Sequence, residues 1–362
     1  MRVLFDSQIF SRQKIGGISR YFVELVRHLP AYGVTPLLHI PICDNEHAMS
    51  AGLSWRFSPR LMSLHRSVRP LMELALKYSD RLLAALGNYD ILHRTYYHPA
   101  RPSWRRSVCT VVDMTPERMP EYFPWGNPHL AKKEVVQMSD LVLSISECTR
   151  RDVLDLYGCS PAKVVTTHLG IDLEGFAHLT DGKGPFAPPY VLFVGNREAY
   201  KNFRRFAQAM VAVLSLHRDL SLAIVGGGML NEEERALFSR AGLSSRVRQA
   251  DVADVDLPAI YRHAELFVFP SEYEGFGLPL LEAFASRCPV AASKTSCFPE
   301  IGGAAIEYFD PKSEDDIAQA IERILGSSTR AEELRSLGWQ RAKSFSWERT
   351  AEATAAAYLS LR

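Results

Sequence analysis

Short, uninterrupted apolar segments alternate with amphipathic segments along almost the whole chain, and this alternation limits the possible folds more than any other feature. The apolar segments are rich in β-branched residues, and most of them do not alternate with polar residues, which is typical of strands covered on both faces. A parallel sheet sandwiched between helices is therefore predicted. The predicted strands of the first half are Val3–Phe5, Thr35–Ile40, Asp90–His93, Val108–Val112, Leu141–Ile145 and Lys163–Thr166.

The segments between the strands have helical spacing. One set of apolar residues recurs at three- and four-residue intervals, and its members are Ile18, Tyr21, Phe22, Leu25, Val26 and Leu29. Such a one-sided stripe indicates a helix that packs on the sheet.

The alternation is interrupted once, which indicates two domains. Residues Gly175–Pro189 are rich in glycine and proline and have no helical period, so they are interpreted as a linker. The alternation then restarts with strands at Tyr190–Val194, Leu222–Val225 and Leu266–Phe269, a helix at Phe203–Leu214 and a last helix at Trp347–Leu361. We therefore predict domains at 1–175 and 190–345, followed by a C-terminal helix at 346–362.

Composition excludes several classes of protein. Hydrophobic residues make up 47% and charged residues 23% of the 362 residues, as in folded globular chains. The formal net charge of +1 gives no general attraction to nucleic acid, so no nucleic-acid partner is expected. No apolar run reaches the roughly 18–20 residues of a membrane span, and no secretory signal precedes the first strand. The scattered cysteines, without a C-x-x-C pair, suit a reducing compartment, so a cytoplasmic location is expected.

One loop of the second domain has the composition of a site for an anion and for hydroxyl groups. The segment 270–282 follows a predicted buried strand and leads into a helix, and Gly275 and Gly277 allow main-chain N–H groups to approach a ligand. Glu274 in the loop and Glu282 in the first turn could accept hydrogen bonds from hydroxyls, so a sugar and a ribose joined by a diphosphate would satisfy both. The alternative is that Glu282 complements the helix N-terminus and Glu274 is a solvated loop residue.

A second loop places cations at the end of the first strand of this domain. In the segment 194–202, a turn at Gly195 is followed by Arg197 and Lys201. Two cations at the carboxyl end of a strand could neutralise a phosphate leaving group. The alternative is a solvated basic loop.

Together these motifs resemble the retaining glycosyltransferases of family four, which have the GT-B fold. The resemblance extends over almost the whole chain and is most specific within 257–311, which contains the Glu274-x7-Glu282 pattern. The strings GGISRY and YKNF are similar to those of bacterial O-antigen mannosyltransferases. The resemblance implies an α/β fold of two Rossmann-like doubly wound domains that face a central cleft, with the C-terminal helix returning to the first domain.

The resemblance also implies roles for particular residues. Glu274 contacts the donor sugar, Glu282 binds the ribose hydroxyls, and Arg197 and Lys201 bind the diphosphate. Asp113 is a further carboxylate counted with the catalytic residues. The other donor-side positions are Gly16, Gly17, Gly195, Gly226, Val252, Phe276, Gly277 and Leu278.

Some positions depart from the family pattern. Asn196 stands where the family's arginine directly follows the glycine, and Arg197 comes one place later. Val112 replaces the histidine that often touches the donor sugar, which leaves the identity of that sugar open.

The acceptor side is predicted near the third strand. His93, Tyr96 and Tyr97 follow that strand and could contact the acceptor or the donor. A packed histidine with an aromatic cap is the alternative.

Neither a metal nor a cofactor is expected. Asp254-Val-Asp256 spells a D-x-D, which binds a divalent cation in the other glycosyltransferase fold, but here it precedes a predicted helix at Leu257–Tyr261 and is expected to cap it. The resemblance implies a metal-independent reaction in which the leaving phosphate acts as the base and the anomeric configuration is retained.

One region of the first domain has a strong positive charge. The stretch Arg56–Arg106 contains ten basic and three acidic residues, interleaved with apolar ones. It would either meet a lipid-linked saccharide at an anionic inner-membrane surface or form a helical pair on its own domain with exposed cations.

The function expected from these features is transfer of a hexose, with mannose from GDP-mannose preferred, from a nucleotide sugar to a saccharide or lipid-linked saccharide in the synthesis of cell-surface polysaccharide. The alternatives are a UDP-sugar-dependent transferase, a nucleotide-sugar 2-epimerase and a non-catalytic saccharide-binding module. The epimerase accounts for the sheets but not for Glu274, Glu282, Arg197 and Lys201 together.

Overall fold

The computed structural model describes residues 1–38, 40, 45–52, 87–97, 105–177 and 184–361. The chain divides into two compact units. The N-terminal unit comprises Met1–Gly170 together with Trp347–Arg362, and the C-terminal unit comprises Ile171–Ser346.

Within the described residues, the N-terminal unit is built on a parallel six-stranded sheet with the order β2-β1-β3-β4-β5-β6. Its strands are β1 (Arg2–Phe5), β2 (Thr35–Leu38), β3 (Ile91–Arg94), β4 (Arg106–Val111), β5 (Leu141–Ser144) and β6 (Val164–Thr166). The strands β3 and β5 are buried along their whole length, as in strands covered on both faces, and in β3 this burial includes the polar His93 and Arg94. The helices that follow these strands are α1 (Gln8–Arg12), α2 (Gly17–His28), α3 (Glu46–Ser50), α4 (Thr115–Arg118), α5 (Lys132–Met138) and α6 (Glu147–Tyr157).

The described part of the C-terminal unit contains a second parallel six-stranded sheet, with the order β12-β11-β10-β7-β8-β9. Its strands are β7 (Tyr190–Val194), β8 (Ser221–Val225), β9 (Val247–Ala250), β10 (Leu266–Phe269), β11 (Val290–Ser293) and β12 (Glu307–Phe309). Its helices are α7 (Leu173–Ala177), α8 (Phe203–Leu216), α9 (Glu232–Arg240), α10 (Leu257–His263), α11 (Leu278–Ala285), α12 (Phe298–Gly302), α13 (Glu314–Leu325) and α14 (Ser328–Ala342). A core cluster joins α8 and α13 to the sheet through Phe206, Met210 and Ile321.

The last helix, α15 (Trp347–Leu359), belongs to the N-terminal unit, where it packs against α2. Its buried face includes Trp347, Ala351 and Tyr358. The Tyr358 hydroxyl lies 2.5 Å from His93 Nδ1 at the end of β3, so the helix is tied to the sheet by a polar contact as well as by packing.

Each sheet reverses its strand order once. In the C-terminal unit, the chain moves outward from β7 through β8 to β9 and then returns to place β10 on the other side of β7. In the N-terminal unit, the chain moves outward from β1 to β2 and then returns to place β3 on the other side of β1. Ligands of open α/β sheets bind at the carboxyl ends of the strands at such a reversal, so these two places are where a site is expected.

The predicted fold class, α/β with two parallel doubly wound sheets, is confirmed by this topology. The boundary differs in one detail: 171–175 belong to the C-terminal unit rather than to the first domain, and α7 (Leu173–Ala177) overlaps the start of the segment 175–189 that is interpreted as a linker. Phe176 is buried and α7 packs against α11. The short helix is thus held by tertiary contacts, which the glycine and proline content of the surrounding sequence does not indicate.

Two further features concern the described residues only. None of their helices combines the length and the apolar character required to span a bilayer. Cys109, Cys148, Cys159, Cys288 and Cys297 are free thiols. The basic stretch predicted to meet a membrane lies largely at 53–86 and 98–104, outside the described residues.

Candidate functional site

The two predicted loops of the C-terminal unit come together at the strand reversal. The loop after β7 contains Lys201, and the loop after β10 contains Glu274. β7 and β10 are hydrogen-bonded neighbours, with Leu192 beside Phe267, so the carboxyl ends of both strands open at the same edge. The spacing of the two motifs in the sequence, about 70 residues apart, gave no direct indication of this contact.

Asn202 locks these loops to each other. Its buried side chain donates to the carbonyl oxygens of Pro270 (3.1 Å) and Pro311 (2.7 Å), and its own backbone is left-handed, with a φ of 58°. The Glu272 N–H also donates to the Tyr200 carbonyl at 2.8 Å. The two loops therefore form one rigid surface, because main-chain groups of each are held by the other.

Lys201 and Glu274 form an ion pair on this surface. Lys201 Nζ lies 2.6 Å from Glu274 Oε1, and the two side chains are 19% and 14% exposed. The Ser296 hydroxyl accepts a hydrogen bond from the Glu274 N–H at 3.1 Å, which fixes the main chain at the carboxylate. This arrangement presents an ammonium donor and a carboxylate acceptor side by side, as a ligand with both phosphate and hydroxyl groups requires.

Helix α11 begins beside this pair. Gly277 stands before its first residue with a φ of 89°, and Pro279 occupies its first turn, as predicted. A Cβ on Gly277 would lie 3.2 Å from Phe298 and 3.4 Å from Phe269, so both the backbone angle and the packing favour glycine here. The main chain around Phe276 and Leu278 is thereby turned so that the helix starts at the end of β10.

Glu282 lies deeper in α11 than expected. The helix begins at Leu278, which makes Glu282 its fifth residue rather than a member of the first turn. The interpretation in which it merely complements the helix N-terminus therefore does not hold, since that effect is confined to the first turn. The side chain is buried at 7% exposure, and Tyr261 Oη donates to its Oε2 at 3.3 Å.

Arg197 is not arranged like Lys201. Its Nε donates to Glu234 Oε1 (3.1 Å) and Oε2 (3.2 Å), and its Nη atoms donate to the carbonyl oxygens of Gly226 (3.1 Å), Gly228 (2.9 Å) and Met229 (2.7 Å). The side chain is only 7% exposed. The cation pair predicted for a diphosphate is therefore separated, with Lys201 beside Glu274 and Arg197 beside Glu234.

The remaining donor-side positions of this unit follow neighbouring strands. Gly195 follows β7 with a φ of 134°, and Gly226 follows β8 with a φ of 81°. Val252 is half-buried just after β9. All three therefore lie at the carboxyl edge of the sheet.

The D-x-D sequence does not act as a side-chain cap. Asp256 stands before the first residue of α10, as predicted, but its side chain makes no capping hydrogen bond because Asp254–Asp256 already form a 3-10 turn that leads into the helix. Across the described ranges, no group of three or more His, Cys, Asp or Glu side chains is arranged to hold a metal ion.

In the N-terminal unit, the predicted glycine pair lies at the start of α2. Gly16 precedes the helix and Gly17 is its first residue. The Gln13 side chain accepts from the Ser19 N–H at 3.2 Å, and a Cβ on Gly16 would lie 2.5 Å from Gln13 Oε1. A side chain at position 16 would therefore displace the Gln13 side chain from the start of the helix.

Asp113 follows β4 and is one-third exposed, with Lys132 Nζ 3.8 Å from its Oδ1. Sequence reasoning missed Lys132, which is 1% exposed and donates to the Asp113 carbonyl (3.0 Å) and to Glu117 Oε2 (3.0 Å). Burial by itself raises the pKa of Glu117, but Lys132 together with hydrogen bonds from Tyr157 and Asn127 lowers it below its usual value. The acidic partners of Lys132 lie 15 and 19 residues earlier in the chain, so no local spacing in the sequence indicates this buried lysine.

The three predicted acceptor-side residues have different surroundings. His93 is fully buried, with Nδ1 bonded to Tyr358 and Nε2 2.8 Å from the Thr110 hydroxyl, and burial lowers its pKa to about 3. It is the packed histidine of the alternative interpretation. Tyr97 is also buried and accepts from the Val112 N–H at 3.3 Å.

Tyr96 is only partly buried. Its hydroxyl lies 2.9 Å from His129 Nδ1, and the guanidinium carbon of Arg12 lies 4.7 Å from the centre of its ring. Of the three predicted residues, it is therefore the one whose position suits contact with a bound molecule.

Comparison with known proteins agrees with this architecture. A model described as "Glycosyltransferase Family 4" matches residues 15–174, and one described as "Glycosyl transferases group 1" matches residues 183–340. A curated relative, the O-antigen chain mannosyltransferase B of Escherichia coli, is 28% identical over 385 aligned residues, which cover 99% of this chain and 99% of the relative.

Solved structures share the fold. Sucrose-phosphate synthase from Thermosynechococcus elongatus superposes with a TM-score of 0.72 and 21% identity, covering 99% of this chain and 98% of that one. Anabaena HepE in complex with UDP gives a TM-score of 0.71 and 16% identity, covering 99% and 100%. With both halves matched by family models and the parallel sheets in place, the chain belongs to the family-four glycosyltransferases of the GT-B fold.

Proposed function

We propose that the protein is a retaining, metal-independent hexosyltransferase that transfers mannose from GDP-mannose to a saccharide or lipid-linked saccharide during the assembly of a cell-surface polysaccharide. The observation that carries the proposal is the Lys201–Glu274 pair at the strand reversal, 2.6 Å apart and partly exposed. The choice of mannose and of an O-antigen-type product is supported by the E. coli relative, whose name states both.

In this proposal, the C-terminal unit binds the donor. Lys201 would bind the diphosphate, Glu274 a hydroxyl of the donor sugar, and Glu282 the ribose. The main-chain amides of Phe276, Gly277 and Leu278 at the start of α11 would meet the sugar and the diphosphate, because a helix N-terminus favours an anion. Glycine at 277 gives a ligand access to that main chain.

The proposed chemical step retains the configuration at the sugar C1. The bond between the sugar C1 and the phosphate oxygen breaks, and the acceptor hydroxyl oxygen forms a bond to C1 on the same face. The hydroxyl proton passes to the departing phosphate oxygen, so no side chain is required as the base. Lys201 would stabilise the negative charge that develops on the leaving diphosphate.

The acceptor would bind the N-terminal unit, with Asp113 and Tyr96 as the proposed contacts. Asp113 is held by Lys132 and by the Thr115 N–H, which donates to its Oδ1 at 3.1 Å. We also propose a cytoplasmic location at the inner-membrane surface, with the basic stretch 56–106 as the contact. Flotation with anionic liposomes tests the membrane contact, which is rejected if all the protein stays in the soluble fraction.

A donor panel tests the function. Purified protein is incubated with GDP-mannose, UDP-glucose or UDP-galactose, each with a polyprenyl-diphosphate-linked saccharide, in the presence of EDTA. We expect transfer from GDP-mannose, with the product's anomeric configuration, read by NMR, equal to that of the donor. An inverted product, a requirement for metal, or transfer only from a UDP-sugar would overturn the corresponding part of the proposal.

An acceptor-free incubation separates the proposal from its main rival. An epimerase would convert the sugar of the nucleotide sugar without any acceptor, whereas a transferase would not change it.

Glu274→Gln keeps the shape of the side chain and removes its charge, so we expect it to lower transfer strongly. Glu265→Gln, before the opposite end of β10, is the matched control.

A further inference from the structure

The turn after β8 has an unusual backbone. Gly226, Gly227 and Gly228 all have left-handed φ values, of 81°, 76° and 69°. A Cβ on Gly227 would lie 2.8 Å from Arg197 Nη1 and 3.0 Å from the Gly195 carbonyl oxygen. This triglycine turn, residues 226–228, is therefore packed closely against the loop after β7, and no side chain of its own can hold its shape.

Arg197 supplies the anchor that the turn lacks. A guanidinium has five N–H donors in a planar fork, and here the fork binds the carbonyl oxygens of Gly226, Gly228 and Met229. The Met229 side chain is 82% exposed, so apolar packing does not fix this end of the turn. The carbonyl groups thus converge on one side chain.

The partner of Arg197 is itself held in place. Glu234 lies in the first turn of α9 and forms a reciprocal capping box with Asn231, whose side chain accepts from the Glu234 N–H at 2.9 Å. Glu234 Oε2 accepts in return from the Asn231 N–H at 2.8 Å. The chain from β8 to α9 is therefore closed into a unit by Arg197, which binds both ends.

This geometry does not suit a ligand of the diphosphate. The charge of Arg197 is already matched by Glu234, and reaching a phosphate would break the hydrogen bonds of the guanidinium and leave a nearly buried carboxylate without its cation, which is costly. Lys201, by contrast, has one carboxylate partner and greater exposure.

We propose that Arg197 is a positioning residue that holds the triglycine turn in the shape needed to receive the donor nucleotide, and that it does not bind the diphosphate. The inference rests on the proposed donor site. The N–H groups of Gly227 and Gly228 donate to no acceptor among the described residues, so with the carbonyls held by Arg197 these donors remain available to a ligand. Losing the anchor would lower affinity for the nucleotide through the shape of the turn rather than through charge.

A double-mutant cycle tests the proposal. Arg197→Lys keeps the charge but loses the fork, and Glu234→Gln keeps the shape but loses the charge of the partner. We expect each single variant to bind GDP or UDP about tenfold more weakly than the wild type in calorimetry. The double variant should have an affinity no lower than that of the weaker-binding single variant, because the two residues act as one unit. Glu232→Gln, an exposed carboxylate in the same helical turn, is the control and should bind as the wild type does.

Hydrogen exchange supplies a readout that needs no ligand. In the ligand-free protein, the hydrogen-bonded amides beside the turn are those of Gly226, which donates to the Ala250 carbonyl oxygen at 3.2 Å, and Leu230, which donates to Gln249 Oε1 at 3.0 Å. We expect both amides to exchange faster in Arg197→Lys and in Glu234→Gln than in the wild type. Unchanged exchange overturns the proposal. The proposal is also overturned if Arg197→Lys binds the nucleotide as tightly as the wild type does while Arg197→Ala binds it a hundredfold more weakly. Only the charge of the side chain would then matter. If the wild type binds neither nucleotide, the proposed donor site fails, while the exchange result still decides the role of Arg197.

Discussion

The N-terminal and C-terminal units reverse their strand order in the same way but place different chemistry at the reversal. In the N-terminal unit, the buried Asp6 after β1 accepts hydrogen bonds from the Thr95 N–H (2.9 Å) and hydroxyl (2.5 Å) after β3. In the C-terminal unit, the same place holds Lys201 and Glu274, which are partly exposed. A buried, hydrogen-bonded pair of Asp6 and Thr95 therefore lies at the first reversal, and a partly exposed ion pair lies at the second.

The difference extends to the neighbouring charges. Lys132 of the N-terminal unit is 1% exposed and fully engaged by Glu117 and the Asp113 carbonyl, so its charge stabilises the fold. Lys201 of the C-terminal unit retains access to solvent. A topological reversal therefore indicates where a site can be, and the packing of each unit sets how exposed the side chains there are.

The largest expected effect is on stability, from Lys132→Met. Removing one partner of a buried ion pair leaves Glu117 uncompensated, so the free energy of unfolding should fall by about 3–5 kcal/mol. Urea denaturation measures it. Lys133→Met changes the exposed neighbour and is the control. An equal loss of unfolding free energy in both variants would show that the buried ion pair of Lys132 does not stabilise the fold.

Lys201→Ala should affect turnover rather than folding. Losing one charge-stabilising donor typically lowers turnover by 10²–10³, or about 2.7–4 kcal/mol of barrier, while the loss in unfolding free energy should be smaller than for Lys132→Met because this pair is less buried. Steady-state kinetics with GDP-mannose and a denaturation curve give both numbers. Lys343→Ala, an exposed cation of the same unit, is the control, and near-normal turnover of Lys201→Ala would remove this residue from the mechanism.

Glu282→Ala should act mainly on nucleotide binding. A hydrogen bond to a charged group contributes about 1.5–3 kcal/mol, so the affinity for GDP measured by calorimetry should fall correspondingly. Glu265→Ala, at the other end of β10, is expected to bind GDP normally. Unchanged affinity in Glu282→Ala would refute its contact with the ribose.

The smallest effect concerns a single proton at the N-terminal reversal. Burial raises the pKa of Asp6, although hydrogen bonds from Thr95 oppose the shift. The folded state therefore holds this proton more tightly than the unfolded state, so the contribution of Asp6 to stability is complete below pH 3.8 and is lost as the pH rises through the folded-state pKa.

Asp6→Asn removes this titration and keeps the size of the side chain. The difference in unfolding free energy between the variant and the wild type should shift in favour of the variant as the pH is raised from about 4. Urea curves at several pH values measure the difference, and a pH-independent difference would contradict the shifted pKa.

Much of the fold could be predicted from the sequence because buried strands have continuous apolar segments. β1, β7 and β10 were predicted within one or two residues for that reason. β9, with the sequence VRQA, was missed because an edge strand is only half-buried and has no such pattern. β12 was missed for the same reason.

The residue types of the candidate site can be taken from the sequence, whereas their pairing cannot. The residue types at Lys201, Glu274 and Glu282 pointed to a ligand with phosphate and hydroxyl groups, and the structure brings Lys201 and Glu274 into contact. Arg197 is grouped with Lys201 in the sequence because both follow the turn at Gly195 at the end of a strand, but the direction of a side chain in a loop depends on what packs there.

The sequence by itself determined the α/β class, the positions of the main strands and the residue types of the two loops, since these depend on local composition and periodicity. The tertiary structure alone decided that Lys201 meets Glu274, that Arg197 turns to Glu234 and the triglycine turn, and that His93 is enclosed by Tyr358. Such pairings join residues that are far apart in the chain, and the exposure that separates an accessible charge from a structural one exists only after the chain has packed.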